Sequence, residues 1–215
     1  KMKTGVFSKK IIQALSLFIG ICIFSSCENE LKISADTSGI NFSYSINSGQ
    51  GFLNILSAAT GTEENESVFD AQEISQILKN AGFKSVNAKN SGPGNLFVTG
   101  KLSPESTDPF SRSGMIFLGQ KQISIKVDKK NLLKFYDELP EELQAYLDMF
   151  MSPVFTGEEM TDAEYMELIS EVYGQELADE FSDATIKIAV ESPAGNKKYL
   201  IKLIDILNIK NELTF

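Results

Sequence analysis

KSVNAKNSGPGNLFVTGKL, residues 84–102, carries at its middle a run of Ser, Gly, Pro and Asn that suits neither helix nor strand, with extended-type stretches on either side. It reads as a hairpin, with one strand over 83–89, a turn at 91–95 and the returning strand over 96–102. The plan recurs near the other end, where TIKIAVE (185–191) alternates, SPAGN (192–196) turns and residues 199–207 close the chain as a last strand. Each hairpin follows helical sequence, and each helical stretch follows a strand. The chain therefore reads as strand, helices, hairpin, twice over, with halves 39–102 and 115–207. The expected fold is α+β: one antiparallel sheet of about six strands, with the helices packed on one face.

Upstream of the first hairpin, INFSYSI alternates strictly, placing Ile40, Phe42, Tyr44 and Ile46 on one face of a strand. Residues 28–38 before it are polar apart from Leu31 and Ile33, and read as a short tether that has the makings of a first strand. FLNILSAA (52–59) suits a short helix or a buried strand, since an apolar run of this length does not discriminate, with helix the preferred reading. Asp70 followed by Glu73 forms a capping-box pattern that opens a second helix through Ala81, with Gly82 to close it.

Between the hairpins, SPESTDPFSRSG (103–114) is loop sequence with two prolines, and residues 115–127 give one long strand or two short ones in which Ile123, Ile125 and Val127 share a face. Asp128 caps a helix to Glu138, Pro140 suits the first turn of the next, and Pro153 is expected to stop it. Thr161 with Glu164 marks another capping box, opening an amphipathic helix through Tyr165, Ile169, Val172 or Tyr173, Leu177 and Phe181 that Gly174 bends.

The first 26 residues are of another kind. Lys1, Lys3, Lys9 and Lys10 precede an apolar run over 11–24 that is short for a membrane span and gives way to polar sequence, as a secretory signal does. The run ends Phe24-Ser25-Ser26-Cys27, which resembles the lipobox of bacterial lipoproteins in the relaxed form of spirochaetes and Bacteroidetes, Phe24 standing where an aliphatic residue is usual. The resemblance implies that the Cys27 thiol receives a diacylglycerol, that the chain is cut before Cys27, and that the new amine is acylated. Two or three acyl chains hold a protein at a bilayer where one binds only marginally, at about 0.8 kcal/mol per buried CH₂. The expected organisation is a signal peptide over 1–26, a tether over 27–38 and a single α+β domain over 39–215, on the periplasmic or outer face of an envelope membrane, most simply the outer one.

Composition excludes much of enzymology. There is no histidine, which removes the Ser-His-Asp and Cys-His arrangements and the usual zinc sites. The other cysteine, Cys22, lies in the leader, so an acylated Cys27 leaves the body without a thiol. Gly94 to Lys101 spaces its glycines wrongly for a phosphate-binding loop. No catalytic residue, cofactor or metal is expected, and the body is read as non-enzymatic.

With four basic residues in the leader, sixteen remain against twenty-nine acidic ones, a balance of −13 in place of −9, which disfavours nucleic acid. Residues 137–183 hold fifteen carboxylates and no Lys or Arg, while the rest of the body is nearly balanced. Such a run is a solvated helical face first and a docking surface for a basic protein partner second. Glu158, Glu159 and Asp162 are the candidate ligands of a divalent cation, though no calcium-loop motif contains them. Tyr146, Met149, Phe150, Met151, Phe155, Met160, Tyr165 and Met166 are candidates to line a cavity for a hydrophobic ligand, with ordinary core as the plainer reading. A carboxylate-pair hydrolase is the remaining alternative.

Overall fold

The computed structural model describes residues 29–36, 39–62, 66–80, 83–102, 112–118, 123–137, 141–192 and 195–215. Its first half runs β1 (Asn29–Asp36), β2 (Gly39–Asn47), α1 (Gln50–Thr60), α2 (Ala71–Asn80), β3 (Lys84–Gly92) and β4 (Asn95–Leu102). There follow β5 (Ile116–Leu118), β6 (Ile123–Val127), α3 (Lys129–Asp137), α4 (Glu141–Thr156), α5 (Asp162–Tyr173), α6 (Gln175–Asp183), β7 (Thr185–Ser192), β8 (Gly195–Lys202), α7 (Leu203–Leu207) and β9 (Leu213–Thr214).

The alternation of β2 is satisfied from both sides. Phe42 and Tyr44 lie opposite Ile33 and Leu31 of β1, and opposite Gly100 and Val98 of β4. The polar stretch expected as a tether is thus, over Asn29–Asp36, a central strand. Two apolar residues suffice because Leu31 and Ile33 face apolar neighbours in both adjoining strands, β7 supplying Ile188 and Val190. Both hairpins stand where the turn sequences put them, Pro93–Gly94 joining β3 to β4, and Ser192 pairing with Gly195 at the end shared by β7 and β8.

The large sheet has the order β3-β4-β2-β1-β7-β8, and it is mixed. Four of its pairings are antiparallel, as expected, but β1 and β7 run parallel. A parallel partner needs a long return connection, and the helices between β2 and β7 supply one. Alternation cannot foresee this, since a strand buries the same residues whichever way its neighbour runs. The expected second half departs further: β5 and β6 join β9 in a separate three-stranded sheet, so the strand opening that half has no place beside β7 and β8.

Helix ends follow their caps. Asp70 Oδ1 accepts from the backbone N–H of Gln72 and Glu73 (3.0 and 2.9 Å), and Asp128 Oδ1 from that of Asn131 (2.7 Å). Gly82, read as the glycine closing α2, lies outside the described residues. Two expectations fail. Pro153 lies inside α4, which kinks at Met151 (φ −116°, ψ 16°) and continues to Thr156, because a proline is at home in the first turn of the segment beyond the kink. Residues 203–207, expected to finish the last strand, coil into α7, whose Leu203, Ile204 and Leu207 are all buried, a spacing no flat strand could bury on one face.

Register places Ile33, Phe42, Tyr44, Ile46, Leu96, Val98, Ile186, Ile188 and Ile201 on one face of the large sheet, all buried in a core shared with the helices. The opposite face carries mostly polar side chains that are exposed or half-exposed, apart from buried Ala189.

Candidate functional site

Past Asp137, which ends α3, the described part of the acidic stretch lies on α4, α5, α6 and the loop between α4 and α5. That loop begins at Gly157 (φ +81°) and ends at Thr161, whose hydroxyl accepts from Glu164 N–H (3.2 Å) while the Glu164 carboxylate accepts from the Thr161 N–H (2.7 Å). The capping box expected from sequence is therefore closed in both directions. The Thr161 backbone N–H, then its hydroxyl, hold the Glu164 carboxyl below its ordinary range despite slight desolvation. It stays ionised at neutral pH and is a poor proton donor.

Behind this loop lies a cleft of about 540 Å³. Glu158, Glu159 and Glu164 line it together with Lys129 and Lys210, and Val154, Met160, Thr161, Asn208 and Ile209 complete the lining. Asn208 is buried and ties the walls together, its amide donating to the Met160 carbonyl (3.1 Å) and to Asp162 Oδ1 (3.0 Å). Lys210 Nζ reaches the same Asp162 oxygen at 2.7 Å. Lysine pairing, then the Asn208 amide, draw the Asp162 carboxyl below its ordinary range, outweighing its partial desolvation.

The structure sorts the expected site residues. Cys27 lies outside the described residues. Glu158 and Glu159 edge the cleft, but Asp162 is turned to Asn208 and Lys210, and no group of three or more carboxylates placed to hold a metal ion occurs among the described residues. Of the aromatic and methionine set, Phe150, Met151 and Tyr165 are buried, and Phe155 and Met166 pack against the same core. Phe150 stacks on Tyr173 (5.1 Å) and Phe181 (5.7 Å), and Phe155 on Tyr136 (4.3 Å). Among the described side chains of the set, only Met160 lines the cleft. The side chains of Tyr146 and Met149 lie outside the described residues. Sequence reading missed Lys129, Asn208 and Lys210, which come from three separate stretches and belong to no motif.

On α5 and α6 the remaining carboxylates form a ridge. Glu167, Glu171, Glu176 and Asp179 are exposed, and beside them Val172 is 59 % exposed. A hydrogen bond from Ser170 to Gln175 (2.8 Å) ties the two helices across Gly174, and within α6 the Gln175 amide donates in turn to Asp179 (2.7 Å). Glu180 points the other way: its carboxylate accepts from the N–H groups of Gly51 (2.6 Å) and Phe52 (3.1 Å), capping α1, whose own N-cap glycine has no side chain to offer.

Comparison with models of known protein families finds no match, and neither does comparison with curated proteins. Among the described residues no helix is long and apolar enough to cross a membrane.

Proposed function

We propose that this chain is a lipoprotein of the cell envelope, held by acyl chains on Cys27 most simply at the outer membrane, with a body that binds a basic protein partner and catalyses nothing. The ridge of α5 and α6 is the binding surface. Its composition carries the reading, because Glu167 and Glu171 stand one helical turn apart with like charge, an arrangement that costs a helix about 0.2–0.5 kcal/mol per pair. Among the described residues no cation pairs with either of them. A ridge that lowers the stability of its own helix, around an exposed Val172, has the make-up of a docking surface: an apolar contact ringed by charge that steers a cationic partner. Anchoring concentrates that partner at the membrane, so weak contacts suffice.

Stability and binding should move in opposite directions in one variant. Glu171→Lys creates a Glu167–Lys pair at the favourable spacing, so the melting temperature should hold or rise slightly. Salt-sensitive retention of an envelope partner should fall roughly tenfold or more, equivalent to about 1.4 kcal/mol. Retention unchanged by the substitution and by salt would remove the ridge from consideration. For the anchor, labelled palmitate should enter the wild-type protein and not Cys27→Ala; an unlabelled wild type would end the lipoprotein reading.

A further inference from the structure

The uncovered face of the large sheet has a composition opposite to that of the helices. Register aligns its side chains in rows across the strands. One row runs Lys89, Phe97, Ser45, Glu30, Lys187, Leu200 from β3 to β8. The next, one pleat along, runs Asn87, Thr99, Ser43, Lys32, Ala189, Lys198. Beyond it Lys84 and Lys101 stand together opposite Asn41, with Glu191 further along the row. With Lys202, opposite Thr185 at the other end, seven lysines thus share the described part of this face with two glutamates. Both glutamates are already paired, Glu191 with Lys32 (2.8 Å) and Glu30 with Lys187 (3.3 Å). Among the described residues no carboxylate pairs with Lys84, Lys89, Lys101 or Lys198, so the face presents cations.

We propose that this uncovered sheet face is the surface on which the protein lies against an anionic lipid bilayer. The proposal rests on acylation of Cys27. Cys27 is two residues from the start of β1, and two residues of chain span at most about 7 Å, too short to hold the body away from the bilayer that carries the acyl chains. Because β1 is a central strand, the anchor leaves from the middle of one end of the sheet.

Two exposed apolar side chains mark that same end. Phe97, 45 % exposed, and Leu200, 71 % exposed, both lie in the row of Glu30, the residue next to Asn29. Four strand spacings separate them, about 19 Å, so they flank the anchor on either side. An aromatic and an aliphatic side chain among lysines is the pattern of a surface that enters the headgroup layer, the apolar groups dipping in while cations meet lipid phosphates. The acidic helices, on the sheet's other side, are repelled from the same surface, so both faces favour one orientation. A soluble anionic polymer would suit the lysines but would leave the apolar pair beside the anchor unused.

The test uses the processed, acylated protein on vesicles of phosphatidylcholine alone or with about one third phosphatidylglycerol, a content that gives a substantial negative surface potential. A fluorophore is attached through Ser43→Cys at the centre of the face, or in a second version through Asn41→Cys, with Ser182→Cys on α6 as the control. Headgroup-located quencher should darken the Ser43 and Asn41 labels several-fold more on anionic than on neutral vesicles, leave the Ser182 label unaffected, and lose its effect in high salt. Adding Lys89→Gln, Lys101→Gln and Lys198→Gln should abolish the difference while sedimentation with vesicles persists. Labels that stay bright on anionic vesicles to which the protein is bound would overturn the docking and leave the anchor standing. Protein remaining in the supernatant with both vesicle types would overturn both. A label response to dextran sulfate but not to vesicles would assign the face to a soluble polyanion and likewise overturn the proposal.

Discussion

Asp162 is the residue at which the acidic loop is fastened to the end of the chain. Its carboxyl is depressed below 3.8 mainly by the ammonium of Lys210 and further by the Asn208 amide, with partial burial opposing. A carboxyl whose folded value lies below its unfolded one adds stability that is complete above the unfolded value and lost as the pH falls through the folded one. The pair is half-exposed, at 49 % and 58 %, so screening keeps the contribution modest. Asp162→Asn should therefore lower the denaturation midpoint at neutral pH, and the gap from wild type should close as the pH falls below about 4. A gap that stays constant down to pH 2 would show that the loss is one of packing and not of charge. Tyr165 is a different case. Its ring is fully buried and its hydroxyl donates to the Phe150 carbonyl (2.5 Å) beside the kink of α4, with burial first and Tyr173 second holding the phenol protonated far above its ordinary range. It joins α5 to α4 and takes no part in the cleft.

Gly174 decides how the acidic helices are arranged. Its φ of +97° with ψ of 157° is a conformation almost confined to glycine, and it separates α5 from α6 where side-chain periodicity alone suggests one bent helix. No atom stands within 4 Å of where a β-carbon would lie, so Gly174→Ala isolates the backbone term from any clash. The expected loss is about 1–3 kcal/mol in chemical denaturation, with the Ser170–Gln175–Asp179 bonds weakened together. A neutral substitution would mean that the break relaxes into a continuous helix. Gly51 has the opposite reason for being glycine: its dihedral angles are unremarkable, but a β-carbon there would stand 3.0 Å from the backbone nitrogen of Leu177, where α1 meets α6. The same close approach brings the Glu180 carboxylate to the exposed N–H groups of α1. Elements whose ends carry a local signal were legible in the sequence, Thr161–Glu164 and Asp70 above all. Those capped by a residue about 130 positions away were not.

At the scale of the molecule the clearest test concerns β1. A tether residue can be changed at almost no cost, whereas Ile33 is 1 % exposed and sits between Phe42 and Val190. Ile33→Ala should cost about 2–5 kcal/mol in urea unfolding, the range for emptying a filled core position. A loss below about 1 kcal/mol, as a surface substitution gives, would return the segment to the tether reading. The two-sided charge belongs to the same scale. The acidic run over 137–183 is visible by counting, but the lysines of the sheet face are scattered from Lys32 to Lys202 and become one surface only when the strands are set in register. The cleft is likewise assembled from Lys129, Glu158 and Lys210, which share no local pattern.

What the sequence determined by itself is what neighbouring residues decide between them: the two hairpin turns, the alternating strand at residues 40–46, the Thr161–Glu164 capping box, the cap at Asp70 and the α+β class. Tertiary structure alone decided the parallel pairing of β1 with β7, the separation of β5, β6 and β9 into a second sheet, the coiling of residues 203–207 and the identity of the cleft. The difference is one of range. Periodicity records which face of a segment is buried, while partner, direction and sheet are set by how segments far apart in the chain share one core, and no local pattern carries that information.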